Sequence, residues 1–533
     1  MRGSYQYQFT SVANILPLTS SLMLFPPSSI SRRSHQLNHN YHSSTIAACV
    51  DKHVLEWKED VIVDDTSNVE SNTGVFNAAS FSASKAWGRR PLLLRNAFNA
   101  EELMALDVDA DVEESNNYDD DDVAAWPSWQ DVVDIASDDD AESRVISHIP
   151  GDYSTFEIEW GTLSNADINK WISKERTLDA INNGHANTER KETLVVNDID
   201  RFYPPLADWI HDTFSFIPNW RMDDGQISLA EVDGGIGPHV DNYDVFLIQM
   251  NGSRTWQVGK RKIDSKEERD RLIEDIDVRV LSDWDHDQET SGVEEFVLNP
   301  GDCLYLPPRV PHCGIALSDG CMTLSVGCRA PSVSDLVSRL AEEFSSSIED
   351  VAVRRYTDDD LLGNLSTDEL LLSPGEITAK AKEDAKLLVL NALTNMMDDD
   401  SVWDEFFGRY VTEPKRLRTN YPIPLEEGFD APTLQDVLDG HGTLYHAEGI
   451  CFSHSVVNAH ESDGKNTNEY RFFVNGEMWR SDSVDDLVLY QTISNNRILD
   501  GPMLLKLIGD EEKSSMKIEF LQELLTIGFL YTQ

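Results

Sequence analysis

Basic residues are scarce in this chain. Forty-four Lys and Arg stand against 95 Asp and Glu, a formal net charge of −51 over 533 residues. Such a surface repels nucleic acid and attracts basic partners. A merely soluble, self-repelling protein would show the same balance, and charge alone does not separate the two. The six cysteines (Cys49, Cys303, Cys313, Cys321, Cys328 and Cys451) include no Cys-x-x-Cys pair. That argues against a secreted disulfide framework and for a reducing interior, where they serve as small buried hydrophobes. No run of about 18 apolar residues occurs, so no membrane span is predicted. Residues 1–50 lack Asp and Glu altogether, yet carry Arg2, Arg32, Arg33 and many serines. In so acidic a chain this contrast predicts a transit segment for a mitochondrion or plastid; an unfolded cytoplasmic N-terminus is the other reading.

What is present centres on Gly234-Gly-Ile-Gly-Pro-His239-Val-Asp241-Asn-Tyr-Asp-Val-Phe-Leu-Ile-Gln249. Residues two apart in an extended segment point the same way, so His239 and Asp241 can offer a nitrogen and a carboxylate to one point. That is two-thirds of a 2-His-1-carboxylate triad, the set that holds non-haem Fe(II) and leaves coordination positions open. The third ligand is expected from Gly301-Asp-Cys-Leu-Tyr-Leu-Pro-Pro-Arg-Val-Pro-His312, where a turn starts a short apolar strand and prolines stiffen the corner before His312.

Asn251-Gly252 carries a strong hairpin signal and predicts that residues 243–250 pair with 253–259. In that register Gln249 faces Arg254, and Arg254 shares the inward face with His239 and Asp241. Trp256 and Val258 follow on the same face as buried positions. An inward guanidinium is costly unless an anion meets it. Beside an iron site it predicts a clamp for a carboxylate co-substrate such as 2-oxoglutarate, with Ser228 on the preceding strand as a hydrogen-bonding helper.

Length alone predicts two or three domains. Residues 1–75 read as the targeting segment. Residues 76–332 carry many short strands separated by turn signals, which fits an antiparallel jelly roll, the cupin-like double-stranded β-helix, within a mixed α+β chain. An acidic insertion at 107–141 is expected to be a solvated loop. Residues 333–413 are helical, and the unbroken apolar run at 387–390 predicts burial against something. A linker with proline leads to a unit at 425–533 with helices around a β wing. Its many acids leave no basic recognition face, so a structural or protein-binding role is expected.

The His-x-Asp stretch and the following Gly252-Ser-Arg254-Thr-Trp256-Gln-Val-Gly resemble the JmjC-type ribosomal oxygenases. The similarity extends to Lys85-Ala-Trp-Gly-Arg-Arg-Pro91, Asn219-Trp-Arg-Met-Asp-Asp224 and Leu324-Ser-Val-Gly-Cys-Arg-Ala-Pro331. Gly-Ser-Arg-Thr-Trp matches the bacterial-type branch that hydroxylates an arginine of large-subunit ribosomal protein sixteen. The branch acting on ribosomal histidine has Gly-Lys-Lys-x-Trp there. The resemblance implies Fe(II) on His239, Asp241 and His312, 2-oxoglutarate on Arg254 and Ser228, O2 as oxidant, a basic ribosomal protein as substrate, a homodimer through the helical region, and a C-terminal winged-helix-like module. A permanently charged substrate side chain calls for a carboxylate, with Glu231 and Asp233 as candidates; Tyr243 and Tyr305 are read first as core-packing residues, with packing of the substrate stem as the other reading. The competing readings are a histidine hydroxylase, a histone lysine demethylase, and a metal-free cupin acting as a binding module in ribosome assembly.

Overall fold

A computed structural model gives the architecture and describes residues 62–65, 76, 78–99, 126–175, 190–274, 276, 278–282, 284, 293–318, 320–347, 356, 377, 379–397, 400–414, 432–460, 466–509 and 511–533. The expected targeting segment falls almost wholly outside these residues, as do positions 107–125 of the acidic insertion and 415–431 of the linker. None of the described helices is long and apolar enough to cross a membrane.

Twelve strands build the first region. They are β1 (Ile62–Asp65), β2 (Leu92–Arg95), β3 (Ser143–Ile149), β4 (Asp152–Trp160), β5 (Lys191–Val196), β6 (Met222–Ala230), β7 (Asp244–Asn251), β8 (Arg254–Gly259), β9 (Val293–Leu298), β10 (Cys303–Leu306), β11 (His312–Ala316) and β12 (Cys321–Cys328). One sheet runs β1-β2-β10-β7-β12-β6-β5-β3-β4, and a second runs β11-β8-β9. Alternation along β7 shows why two sheets face each other. Phe246, Ile248 and Met250 join the larger core, whereas Val245 and Leu247 pack with Trp256, Val258, Leu298 and Leu304 between the sheets. Strands with both faces buried read as continuous apolar runs, as 245–248 does.

The predicted hairpin does not form. β7 pairs with β10 and β12, and β8 pairs with β9 and β11. A two-residue hairpin of the favoured type needs φ > 0 at both loop residues. Here Gly252 is at φ 62°, but Asn251 is not in the left-handed region. The corner therefore carries the chain from one sheet to the other. Ser318 Oγ accepts the Ser253 N–H at 2.9 Å, and Gln249 Nε2 donates to the Asn251 carbonyl at 2.7 Å. Gln249 consequently lies opposite Thr323 rather than Arg254.

One other expectation needs correction. The described end of the acidic stretch is not a solvated loop: a helix spans Trp129–Ile135, opened by a Ser128/Asp131 capping box, with Trp129, Val132 and Val133 buried. Tyr305 belongs to the aromatic core, donating to Asp244 Oδ1 at 2.5 Å and accepting the Gly88 N–H at 2.6 Å, so it is committed to packing rather than to a substrate.

Beyond the sheets, helices span Val333–Ser347, Ala379–Met397 and Asp400–Thr412. The apolar run expected to be covered is not covered by the described residues of this chain: Leu387, Val389 and Leu390 are exposed (45, 58 and 45%). The C-terminal module has β13 (Thr443–His446), β14 (Phe452–His460), β15 (Asn466–Val474), β16 (Glu477–Ser481), β17 (Ile498–Asp500) and β18 (Leu530–Thr532), with sheets β14-β15-β16 and β17-β13-β18. Helices Val484–Asn495, Gly501–Ile508 and Glu511–Ile527 close around a separate apolar core. Arg497 fastens this module to the first, pairing with Asp208 at 2.5 Å and with Glu448.

Candidate metal centre

His239, Asp241 and His312 converge. One ligand atom from each lies within 4.8 Å of the others, the one such group found among the described residues. Asp241 Oδ1 is 3.8 Å from His239 Nε2, and its Oδ2 is 3.5 Å from His312 Nε2. The segment carrying His239 and Asp241 is not part of β7, which begins only at Asp244. It forms an isolated bridge in which His239 and His312 exchange both main-chain hydrogen bonds at 2.9 Å. Two ligands 73 positions apart are thereby locked backbone to backbone.

Each ring is oriented by a carbonyl. His239 Nδ1 lies 2.8 Å from the Gly237 oxygen, and His312 Nδ1 lies 3.0 Å from the Val310 oxygen. A carbonyl only accepts, so both Nδ1 atoms carry the proton and both Nε2 lone pairs point at the shared space. Burial, with repulsion from His239, pushes His312 down to about 4, which keeps it neutral and available as a ligand. Gly237 sits at φ 89°, and a side chain there would strike Phe156 and Val280 at 3.0 Å. Sequence reasoning missed these orienting carbonyls; the glycine-rich lead-in was their only trace. Two imidazole nitrogens and one carboxylate around an otherwise open face fit non-haem Fe(II).

Arg254 is inward, although the hairpin argument for it was mistaken. It is 1% exposed, and its Nη1 donates to Ser228 Oγ at 3.2 Å. Its Nε and Nη2 have no acceptor among the described residues. A buried guanidinium with two unanswered donors is a strong cost unless a ligand supplies the anion. The two strands set the spacing: His312 pairs with Val258, Gly314 with Trp256, and Ala316 with Arg254. The guanidinium therefore begins four residues along from the metal ligand, about 13 Å of strand, with the long side chain free to reach back. A dicarboxylate held at the metal by one end and at Arg254 by the other fits this layout. Trp256 and Val258 are buried as expected (4% and 0%).

The predicted substrate residues are placed less distinctively. Glu231 is half-buried and its carboxylate already accepts the Glu192 N–H at 2.8 Å. Asp233 is exposed at φ 66°, and its N–H donates to the carbonyl of Ala316, the residue opposite Arg254. Tyr243 is 39% exposed.

Residues 209–336 match the JmjC domain family. A probable ribosomal oxygenase of Haemophilus influenzae is 25% identical over 392 residues, covering 74% of this chain and 85% of its own. The ribosomal protein uL16 3-hydroxylase of Escherichia coli is 30% identical over 257 residues, 48% of this chain and 54% of its own length. Among solved structures, E. coli YcfD superposes with a TM-score of 0.57 at 20% identity, covering 86% of this chain and 98% of that one. Its complex with cobalt and 2-oxoglutarate gives 0.55 at 21% identity, covering 86% and 99%. These likenesses show a shared fold.

Proposed function

We propose that this JmjC-domain protein, a dioxygenase using Fe(II), 2-oxoglutarate and O2, hydroxylates a ribosomal protein, and that the target is an arginine of large-subunit ribosomal protein sixteen. The observation that carries the reading is the buried, half-satisfied guanidinium of Arg254 on the strand beside a His-Asp-His triad. A metal-free binding module has no use for either. When bound, the iron supplies the oxidising chemistry. The chain's own residues do the rest: His239, Asp241 and His312 hold the metal on one face, Arg254 and Ser228 fix the distal carboxylate of 2-oxoglutarate, and the buried Trp256 ring, beside both His312 and Arg254, excludes water there. Asp233 and Glu231 offer carboxylates beside the metal loop to meet a cationic side chain, and exposed Tyr243 offers a ring for its stem.

The test is incubation of the full chain with ribosomal protein and peptides, with substrate masses read after fragmentation. One added oxygen on arginine supports the proposal. The oxygen on histidine moves the enzyme to the other branch, and loss of methyl makes it a demethylase. Turnover of 2-oxoglutarate that survives His239→Ala sinks the site itself.

We also propose that the helical region pairs two copies of the chain. Its support is the set of exposed apolar residues on these helices, Val333, Val337, Leu387, Val389, Leu390 and Met397, the kind of surface that marks an interaction site where it is contiguous. Leu387→Glu with Leu390→Glu is expected to halve the mass seen by light scattering, and an unchanged monomeric mass in the parent refutes pairing. An organellar address from residues 1–50 is a further proposal, tested by fusing them to a fluorescent protein.

A further inference from the structure

We infer that Arg309, backed by Glu268, is a positioning residue for the carboxylate ligand Asp241. The inference rests on the assignment of His239, Asp241 and His312 as the metal site. Arg309 stands three residues before His312, at φ 72°. A side chain is rarely tolerated in that left-handed region, and a long cation there marks a site where surrounding contacts over-determine the backbone.

Those contacts reach three separate segments. The Arg309 N–H donates to the Asp241 carbonyl at 2.8 Å, and the Arg309 carbonyl accepts the Ile263 N–H at 2.9 Å. The guanidinium then spreads outward. Nε donates to the Ile263 carbonyl at 3.0 Å, and Nη1 donates to Asn242 Oδ1 at 3.0 Å and to Glu268 Oε2 at 2.7 Å. Glu268 lies on the helix Ser265–Arg271, is 5% exposed, and holds Arg279 with its other oxygen at 2.5 Å. One side chain thus ties the loop that carries His312 to the loop that carries Asp241, and braces both on a helix.

The brace acts where the site is loosest. The side chains of His312 and His239 are 2% and 22% exposed, while that of Asp241 is 35% exposed. The histidines are oriented by their own Nδ1 bonds and lock each other through the bridge. Asp241 lies beyond that bridge, and beside its main-chain bond to Arg309 the next residue, Asn242, is held by the Arg309 guanidinium, which glycine would remove. A half-exposed carboxylate on a short loop samples positions that miss the metal unless its backbone is held.

Arg309→Gly tests this cleanly, because glycine accepts φ 72° without strain and keeps both main-chain hydrogen bonds. Glu268 keeps Arg279, so no carboxylate is stranded. In the full chain, stripped of metal and titrated anaerobically with Co(II), the variant is expected to bind about 10-fold more weakly, in the range of lost outer-shell partners. The d–d spectrum of the bound Co(II) should change shape, and the melting temperature of the metal-free protein should move little. Glu268→Gln, which keeps shape and loses charge, should weaken binding in the same direction. Combined with Arg309→Gly it should add little, as expected of one unit. Unchanged Co(II) affinity and spectrum in both variants, with or without a fall in melting temperature, overturn the inference and leave Arg309 a packing residue. His239→Ala separates the two levels: if it binds Co(II) like the parent, the metal-site reading fails, and if it loses Co(II) while Arg309→Gly does not, only the brace falls.

Discussion

Replacing Arg254 by methionine should move stability and co-substrate affinity in opposite directions. The guanidinium is 1% exposed, lies 5.8 Å from the Trp256 ring, and has one neutral hydrogen-bond partner among the described residues, Ser228 Oγ at 3.2 Å, with Nε and Nη2 unanswered there. In the ligand-free protein it is a buried charge without an anion, held at a desolvation cost. An apolar side chain of similar length removes that cost, a change worth roughly 1–4 kcal/mol of added stability where buried ionic groups have been replaced. The bound state loses a charge-assisted bond to a carboxylate, about 1.5–3 kcal/mol. That is roughly a 10- to 150-fold rise in Kd for 2-oxoglutarate. Calorimetric titration of the metal-loaded, oxygen-free protein reads the affinity, and thermal unfolding of the metal-free protein reads the stability. Arg254→Lys should fall between, keeping the charge and losing the planar fork. If Arg254→Met melts well below the parent while binding 2-oxoglutarate equally well, the guanidinium is a structural group and the co-substrate site lies elsewhere.

Two other outcomes follow from close approaches in the same region. A Cβ on Gly314 would sit 2.9 Å from two ring carbons of Trp256, itself 4% exposed and 5.8 Å from the His312 ring. Gly314→Ala should therefore cost about 1–3 kcal/mol in chemical denaturation and weaken metal binding by displacing His312; a neutral effect on both would mean that Trp256 has room to retreat. His148 stacks on Phe156 at 4.3 Å, and burial pushes it down to about 4 from an ordinary 6.5. The unfolded chain binds that proton first, so this contribution is intact above pH 6.5 and is lost as pH falls towards 4, by at most roughly 3 kcal/mol. His148→Phe should flatten that part of the stability profile of the metal-free protein, and a parallel profile would show that His148 is solvated.

The convergence of the candidate site residues was legible in the sequence because it involves side chains that few other arrangements require. His239, Asp241, His312 and Arg254 all stand where their types predicted, even though the register argument that turned Arg254 inward was wrong. What pairs with what was not legible, and two identical dipeptides show why. At Asn475-Gly476 both residues adopt positive φ (52° and 81°), and the chain folds back, β15 against β16. At Asn251-Gly252 only the glycine does, and the chain crosses to another sheet. Local propensity is the same in both; the difference is made by partners distant in the chain, Ser318, Cys321 and Thr323, which approach the second corner and use its polar groups. The acidic stretch misled for a related reason: its charge average hid Trp129, Val132 and Val133, a single buried helical face that needs only seven residues. The exposed run at 387–390 carries the same lesson outward, since an apolar sequence states that a surface must be covered without stating that the chain covers it itself. Composition and motif report what each residue needs, and only the tertiary neighbours decide which need is met within the chain and which is left for a metal or a co-substrate.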